Sequence, residues 1–360
     1  MPIVKSKEKV VLALNVGSTS IKSRVFVFRG KKEKEIYAWS RGGLGLNGSH
    51  QKALSELKSD LAKEGILTKI AAVGHRVVHG GPMKRSCKIG AKELKLINRY
   101  SKLAPLHNPF NLQGIREAAR WGRKEVVRVA VFDTAFFSGL PGYARTYAIP
   151  SSITKKYGLY RYGFHGISHH YALLETAKRL KKHPGRLKLI TVHLGGGASI
   201  AAIRKGRAVD TSMGFTPLEG LIMSTRSGDI DPGIIVYLLR QGFALGELEN
   251  ILINEGGIKG LAHVSSMLEL IQKVKRRNAL ARKAFDLYTY RIKKYIGSYL
   301  AVLGSCDAVV FTGAVGAGDP VTRNRVTKPL KETILKNIPV LSVIPNEEKM
   351  IARETRKTIN

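Results

Sequence analysis

Two stretches of this chain repeat one design, in which an apolar strand enters a glycine- or serine-rich turn and a second strand leaves it. In the central copy, LKLITVHLGGGASIAAIRKGRAVD over 187–210, the turn is the glycine triplet 195–197. In the N-terminal copy, over 10–28, the turn is GSTS at 17–20. Glycine lacks a Cβ, so backbone N–H groups can converge on one point, and such a nest suits a phosphate group. One copy alone favours an ordinary glycine-rich hairpin, but two copies predict two similar half-molecules facing a shared phosphate.

Alternating strand and helix signals predict an α/β protein. A third glycine-rich segment, FTGAVGAG over 311–318, follows another apolar run, and we interpret it as a third glycine turn. The predicted strands cover residues 10–16, 21–28, 35–39, 70–73, 126–132, 187–192, 199–203, 308–311 and 340–344. The predicted helices cover residues 51–63, 92–103, 108–121, 168–182, 232–240, 266–277 and 280–303. Asn108 and Ser168 are predicted as helix N-caps, and the aromatic helix 280–303 as core, or else as a surface for a partner.

Composition limits the class of protein. With 360 residues the chain is long enough for two domains. No apolar run is long enough to span a bilayer, and the N-terminal run lacks a cleavage site, so we expect neither a membrane segment nor a signal peptide. Cys87 and Cys306 have neither metal-type nor disulfide-type spacing, which favours the cytoplasm.

The formal net charge of +35 suits nucleic acid, an anionic membrane or small anionic substrates. The basic clusters are short and dispersed, and no aromatic residues alternate with them as a single-strand stacking surface requires. Nucleic-acid binding is therefore the weaker interpretation, and capture of small anions the better one.

The remaining motifs narrow the chemistry. GxGxxG at 43–48 is a decoy for a dinucleotide site, since the next strand ends without the acidic residue that a ribose needs, and no P-loop sequence occurs. A long irregular segment, DTSMGFTPLEGLIMSTRSGDIDP over 210–232, is typical of a functional loop. Polar side chains instead follow strands or lie in irregular loops: Asn15, Arg76, Asp133, His165, His193, Arg226 and Glu347. This mixture suits in-line phosphoryl transfer, which needs positioning, cationic groups and a bound magnesium ion.

The motifs resemble the acetate kinase family in order and spacing over nearly the whole chain. The segments that carry the resemblance are NVGSTSIKS, VGHRVVHGG, LAPLHNPFN, VAVFDTAF, RYGFHGISHHY, HLGGGAS, DTSMGFTPLEGLIMSTRSGDIDP, VFTGAVG and IPNEEKMIARET. The resemblance implies an actin-like ATPase fold with two duplicated ribonuclease H-like domains, 1–136 plus 349–360 on the acetate side and 137–348 on the nucleotide side, and an active site in the cleft. It implies reversible transfer of the ATP γ-phosphate to acetate, giving acetyl phosphate and ADP, with Mg²⁺ (or Mn²⁺) and a cytoplasmic homodimer.

The resemblance also implies a role for each matching residue. Magnesium would be held by Asn15 and Glu347. Catalytic groups would be Asp133, His165 and Arg226. The carboxylate and methyl group of acetate would be bound by Arg76, Val78, Leu106, Phe164 and Pro217. The nucleotide would be bound by Ser18, Lys22, His193, Leu194, Gly195, Gly196, Gly197, Gly313, Ala314, Val315, Gly316 and Ala317.

Structural interpretations compete with these roles. Arg76 and Arg226 are alternatively members of structural ion pairs, and Asp133 is a buried acceptor for loop N–H groups. His193 is alternatively a hydrogen-bonded core histidine. Asn15 is alternatively a plain turn residue.

The departures from the family pattern lie on the nucleotide side. Gly196 replaces an asparagine, Leu268 an arginine, and Ala317 with Gly318 an acid and an amide. These changes favour a broadened donor, either other nucleoside triphosphates or pyrophosphate, with ATP as the default. The acceptor alternatives are propionate and butyrate. From another class, a non-catalytic actin-like protein that binds nucleotide or nucleic acid is the competing hypothesis.

Overall fold

The computed structural model describes residues 8–45, 49–121 and 125–360. It divides into two compact units, unit 1 (Met1–Ser138 with Asn346–Asn360) and unit 2 (Gly139–Pro345). Glu347 and Glu348, expected in the second domain, belong to unit 1. The last three positions of the GxGxxG motif lie outside the described residues.

Unit 1 is built on a mixed six-stranded sheet. Its strands are β1 Lys9–Val16, β2 Ser20–Arg29, β3 Lys32–Gly42, β4 Ile70–Val77, β5 Cys87–Lys88 and β6 Val127–Phe132. Its helices are α1 Ser49–Lys63, α2 Ala91–Arg99, α3 Asn108–Ala118 and, at the C-terminus, α14 Glu347–Ile359, with 3-10 turns at Leu67–Lys69, Tyr100–Leu103 and Asp133–Phe137. The strand order is β3-β2-β1-β4-β6-β5, and β1, β4 and β6 are parallel. The carboxyl ends of these three strands therefore lie at one edge, where α/β sheets bind ligands.

Helix α14 packs closely on this sheet because one residue of β4, Gly74, has no side chain. A Cβ added at Gly74 would lie 2.0 Å from Oγ1 of Thr355 and 2.9 Å from Cγ2 of Ile351. The absence of a side chain at Gly74 thus allows the close approach of α14, whose first residue is Glu347.

His75, the next residue of β4, predicts an acid-sensitive unit 1. Its side chain is buried, and this burial, with a smaller contribution from the charge of Arg128, lowers its pKa from 6.5 to about 3. The unfolded chain therefore binds more protons than the folded one between these two pH values. The free energy of unfolding should fall as pH drops from 6.5 towards 3, by up to about 1.4 kcal/mol per pH unit.

The measurement is urea unfolding followed by tryptophan fluorescence, because Trp39 and Trp121 both lie in unit 1 and pack on one apolar cluster. His75→Leu should flatten the dependence between pH 6.5 and 5. His183→Leu, at an exposed histidine of unit 2, should leave it unchanged. An equally steep dependence in His75→Leu and the parent would contradict this assignment.

Unit 2 is built on a five-stranded sheet of order β11-β10-β7-β8-β9. Its strands are β7 Lys188–Leu194, β8 Ala198–Arg204, β9 Arg207–Thr211, β10 Ala308–Thr312 and β11 Val340–Ser342. Its helices are α4 Gly142–Arg145, α5 Ser151–Tyr157, α6 Gly166–Arg179, α7 Pro232–Arg240, α8 Leu245–Asn250, α9 Gly257–Ala262, α10 Met267–Lys275, α11 Ala279–Leu303, α12 Gly313–Gly318 and α13 Pro320–Lys331, with a 3-10 turn at Pro184–Arg186 and a π-helical turn at Ile251–Glu255. The β7–β8 hairpin carries the glycine triplet.

The α/β class and the irregular loop after β9 agree with the sequence predictions, but several local predictions are wrong. The third glycine-rich segment is helix α12 and not a turn. Its first residue, Gly313, has φ +82°, and a Cβ there would lie 2.3 Å from the carbonyl oxygen of Leu194. The predicted helix 92–103 is α2 followed by a 3-10 turn. Helix α6 begins at Gly166 with His165 as N-cap, so Ser168 lies within its first turn. The aromatic face of α11 is core, since Phe285, Tyr288 and Tyr299 are buried.

Candidate active site

Arg76 is the centre of a charged cluster at the carboxyl edge of the unit 1 sheet. It lies near the end of β4, and its guanidinium donates to Oδ2 of Asp133, directly after β6, at 2.7 Å and 3.2 Å. It also donates to Oε2 of Glu347 at 3.2 Å and to Oδ1 of Asn15, on β1, at 3.3 Å. The strand ends thus bring together four of the predicted site residues.

The charge balance of this cluster keeps Arg76 ionised. Burial opposes the charge, but Asp133 and Glu347 outweigh it and raise the pKa of the guanidinium above its ordinary value. Asp133 is almost fully buried. The guanidinium therefore presents a permanent positive charge, held in a set orientation, at the strand ends.

Asn15 and Glu347 fit the outer ligands of a magnesium ion. The Asn15 amide donates to Oε2 of Glu347 at 3.2 Å and to Oε1 of Glu348 at 3.0 Å, so amide and carboxylates lie together. Among the described residues no group of three or more His, Cys, Asp or Glu side chains is arranged to hold a metal directly. Mg²⁺ keeps several waters and takes one or two carboxylates besides substrate phosphates, so this sparse set of oxygens suits it.

Lys22 and Ser18 lie next to this cluster in the β1–β2 hairpin. Lys22 is the direct cross-strand partner of Asn15, so the two side chains lie on the same face of the sheet. Ser18 lies in the turn itself, where the Gly17 N–H donates to the carbonyl oxygen of Ser20. His50, which sequence reasoning missed, lies 2.9 Å from the Gly17 carbonyl oxygen and stacks on Phe110.

Two asparagines of α3 hold the strand ends that carry the site. Asn111 accepts from the Val78 N–H at 3.0 Å and donates to the Val16 carbonyl at 2.7 Å, which ties β4 to β1. Asn108 accepts from the His79 N–H and donates back to its carbonyl, so it does not cap α3 as predicted. The sequence signal was present in HNPFN, where the two asparagines are three residues apart and share one helix face.

Of the predicted acetate-pocket residues in unit 1, Val78 directly follows β4 and is buried, while Leu106 lies half-buried before α3. In unit 2, Phe164 is buried beside His165, and the Pro217 carbonyl accepts from Nη1 of Arg226 at 3.1 Å.

Helix α6 presents one polar face to the β7–β8 hairpin. Three polar residues at helical spacing form this face: His165, Ser168 and His169. Their side chains contact strand residues that point to the same side of the sheet. His165 Nδ1 lies 2.9 Å from Oγ of Ser199, and Ser168 Oγ lies 2.8 Å from Nδ1 of His193. His193 is thus hydrogen-bonded through Nδ1, as the alternative prediction of a core histidine requires.

His165 is held in a strained conformation against the glycine turn. Its φ is +57°, in the left-handed region that only glycine adopts freely, and its ring stacks on His193 with centroids 4.3 Å apart. A Cβ added at Gly197 would lie 3.1 Å from Cε1 and Nε2 of His165 and 3.8 Å from Nη1 of Arg226. Strain of this kind concentrates at functional sites, and here an imidazole and a guanidinium approach one bare backbone.

Arg226 lies in the irregular loop, which side chains hold in place. Asp229 accepts from the Gly220 N–H and from the Tyr295 hydroxyl, each at 2.8 Å, and was missed by sequence reasoning because its partners are far apart in the chain. The Arg226 guanidinium is largely buried, and burial lowers its pKa to about 10. An anion bound there would offset this cost.

The remaining predicted nucleotide residues lie at two neighbouring strand ends. Leu194 ends β7, and the Gly195 N–H donates to the Gly197 carbonyl at 2.9 Å, which closes the glycine turn. β10 is parallel to β7 and leads directly into α12, which contains the other five: Gly313, Ala314, Val315, Gly316 and Ala317.

A family model described as the acetokinase family matches residues 40–357. The chain belongs to the acetokinase family. A protein named acetate kinase from Histophilus somni is 39% identical over 393 residues, covering 97% of this chain and 99% of that protein. One of the same name from Thermotoga maritima is also 39% identical, covering 97% of this chain and 98% of that protein.

Solved structures of the family have the same fold. The acetate kinase of Porphyromonas gingivalis superposes with a TM-score of 0.85 at 33% identity, covering 98% of this chain and 100% of that one. A propionate kinase from Francisella tularensis gives 0.84 at 33% identity, covering 97% and 99%. This member of the acetokinase family thus has the actin-like ATPase fold, and its family makes it a kinase.

Proposed function

We propose that this chain transfers the γ-phosphoryl group of ATP to acetate, reversibly, giving acetyl phosphate and ADP. The observation that carries the proposal is the approach of His165 Nε2 and Arg226 Nη1 to Gly197 of a phosphate-type glycine turn. In-line phosphoryl transfer needs this combination of backbone N–H groups and cationic donors around the equatorial oxygens.

Unit 1 supplies the groups for the acid. Arg76 binds the acetate carboxylate, and Asp133 orients the guanidinium through its 2.7 Å hydrogen bond. Val78 and Leu106 contribute apolar surface for the methyl group, and Phe164 and Pro217 are the corresponding candidates in unit 2. Asn15 and Glu347 would hold a magnesium ion, which would supply positive charge to the donor phosphates.

Unit 2 supplies the groups for the transferred phosphoryl. An acetate oxygen attacks the γ-phosphorus, a new O–P bond forms, and the bond to the ADP oxygen breaks. Arg226 and His165 donate to the equatorial oxygens, and His193, the glycine triplet and α12 bind the donor phosphates. Ser18 and Lys22 are the candidate phosphate ligands of unit 1. No proton is gained or lost between acetate and acetyl phosphate, so the site needs positioning and positive charge more than a base.

The test is acyl-phosphate formation, trapped as the hydroxamate, with Mg²⁺ and with acetate, propionate or butyrate as acceptor. We expect acetate to exceed propionate in kcat/KM by roughly 10- to 100-fold, since one methylene in an apolar pocket is worth about 1–3 kcal/mol. Propionate exceeding acetate would assign a propionate kinase, as in the Francisella relative. Folded protein without turnover on any acid would favour the non-catalytic binding hypothesis.

The altered residues on the nucleotide side predict that phosphoryl donors other than ATP are also used. A Cβ added at Gly196 would meet no atom within 4 Å, Leu268 is 70% exposed, and the carbonyls of Gly316 and Ala317 accept from Arg323. The same assay with GTP and pyrophosphate decides this question. Comparable rates with every donor would make these departures functional, and a strong preference for ATP would mean that other residues bind adenosine.

The expected homodimer has support in α7. None of the residues of this helix is buried, although most are apolar, with Ile234, Val236, Tyr237 and Leu239 exposed. A second copy of the chain would cover this face, and a measurement of the molar mass in solution tests whether the protein is a dimer.

No helix in the described part of the chain is long and apolar enough to cross a membrane, and a cytoplasmic location stays a prediction.

A further inference from the structure

A chain of buried hydrogen bonds runs behind His165, away from the glycine turn. His165 Nδ1 lies 2.9 Å from Ser199 Oγ, which lies 2.8 Å from Nε2 of His169. Nδ1 of His169 lies 2.7 Å from Thr191 Oγ1, and the Thr191 hydroxyl is directed at the carbonyl oxygen of Ala201, 3.5 Å away. Ser199, His169 and Thr191 are all fully buried.

The contact between the Thr191 hydroxyl and the Ala201 carbonyl oxygen is the one from which we infer a direction for the other hydrogen bonds of the chain. A carbonyl oxygen can only accept, so the Thr191 hydroxyl donates to Ala201 and its oxygen accepts from Nδ1–H of His169. His169 is neutral, because burial and then the neighbouring His193 lower its pKa well below 6.5. A neutral ring with its proton on Nδ1 must accept at Nε2, so Ser199 donates to it. The Ser199 oxygen is then left to accept from Nδ1–H of His165.

We propose that Thr191, His169 and Ser199 are positioning residues that keep a proton on Nδ1 of His165, so that Nε2, beside Gly197, is the nitrogen that exchanges its proton. This inference rests on the proposed function, in which His165 donates to a phosphoryl oxygen. With Nδ1–H held by Ser199, a proton from the solvent binds at Nε2, and the resulting imidazolium donates towards the phosphate turn without a ring flip. The same bonds stabilise the strained backbone of His165.

The proposal is tested by a matched pair at Thr191. Thr191→Val keeps the shape but removes the hydroxyl, and kcat should fall by roughly 10- to 100-fold, the usual range for groups that orient an active-site histidine. The KM values for acetate and ATP should stay within about threefold, since neither substrate touches Thr191. Thr191→Ser keeps the hydroxyl and should restore most of kcat.

Thr176→Val is the control for a buried threonine on α6. Thr176 is fully buried, and its hydroxyl makes no hydrogen bond with any described residue. This variant should leave kcat unchanged. An equal loss in Thr176→Val and Thr191→Val would assign Thr191 a merely structural role and overturn the proposal.

A second readout does not depend on activity. Nitrogen-15 NMR of histidine-labelled parent protein distinguishes the two tautomers, with the His165 signals assigned by comparison with His165→Gln. We expect protonated Nδ1 in the parent and a loss of this preference in Thr191→Val. Protonation at Nε2 alone in the parent would overturn the proposal. The expected tautomer in a protein without acyl kinase activity would sink the proposed function and leave the positioning chain intact.

Discussion

Arg76→Met is expected to lower kcat/KM for acetate by about a thousandfold or more and to destabilise unit 1 at the same time. Activity falls because the proposed ligand of the acid carboxylate, a bidentate and permanently charged group, is lost. Stability falls because Asp133 and Glu347 then lose the positive charge between them, and breaking a buried ion pair from one side costs about 3–5 kcal/mol. The hydroxamate assay and urea unfolding by tryptophan fluorescence measure the two effects separately.

The controls separate charge from geometry. Arg76→Lys keeps the charge, so it should retain most of the stability but little of the activity, because lysine cannot form the fork. Arg76→Met combined with Asp133→Asn should be less destabilised than Arg76→Met alone. Arg41→Met removes a half-exposed partner of Glu56 and should cost less than about 1 kcal/mol. Unchanged stability in Arg76→Met would mean that the cluster is not the balanced network described here.

The parts of the site that sequence alone predicted are those set by local patterns. Apolar runs identified β1, β4 and β6, and the polar residue at or after each end, Asn15, Arg76 or Asp133, was named as a candidate. Because parallel strands end at one edge of their sheet, these three side chains meet in unit 1. The family and the fold were likewise predictable, since the motifs extend over nearly the whole chain.

The parts that sequence alone missed depend on tertiary contacts. Asn108 has the local signature of an N-cap, yet its side chain binds the backbone of His79, which no local pattern encodes. Ser199 and Thr191 are unremarkable strand residues until the sheet register places them opposite α6. Helix α12 was interpreted as a turn because its glycines lower helix propensity, while the close packing of Gly313 on Leu194 decides the outcome.

Arg226→Met is expected to abolish turnover as completely as Arg76→Met but to have the opposite effect on stability. Loss of a guanidinium beside the transferred phosphoryl should lower kcat by about a thousandfold or more. Burial lowers the pKa of Arg226 to about 10, so at neutral pH its charge opposes folding, and a methionine should raise the free energy of unfolding of unit 2 by about 1–3 kcal/mol.

Hydrogen exchange of β7, β8 and α6 measures the stability of unit 2, which lacks tryptophan. Arg325→Met, which removes an exposed ion pair with Asp286, is the matched control. It should change neither kcat nor the stability of unit 2 appreciably. A site that is built to bind an anion is less stable when it is empty. Added phosphate should therefore slow the hydrogen exchange of unit 2 in the parent but not in Arg226→Met. Faster exchange in Arg226→Met than in the parent would instead make Arg226 a structural residue, and the phosphoryl site would then have to be assigned to other groups.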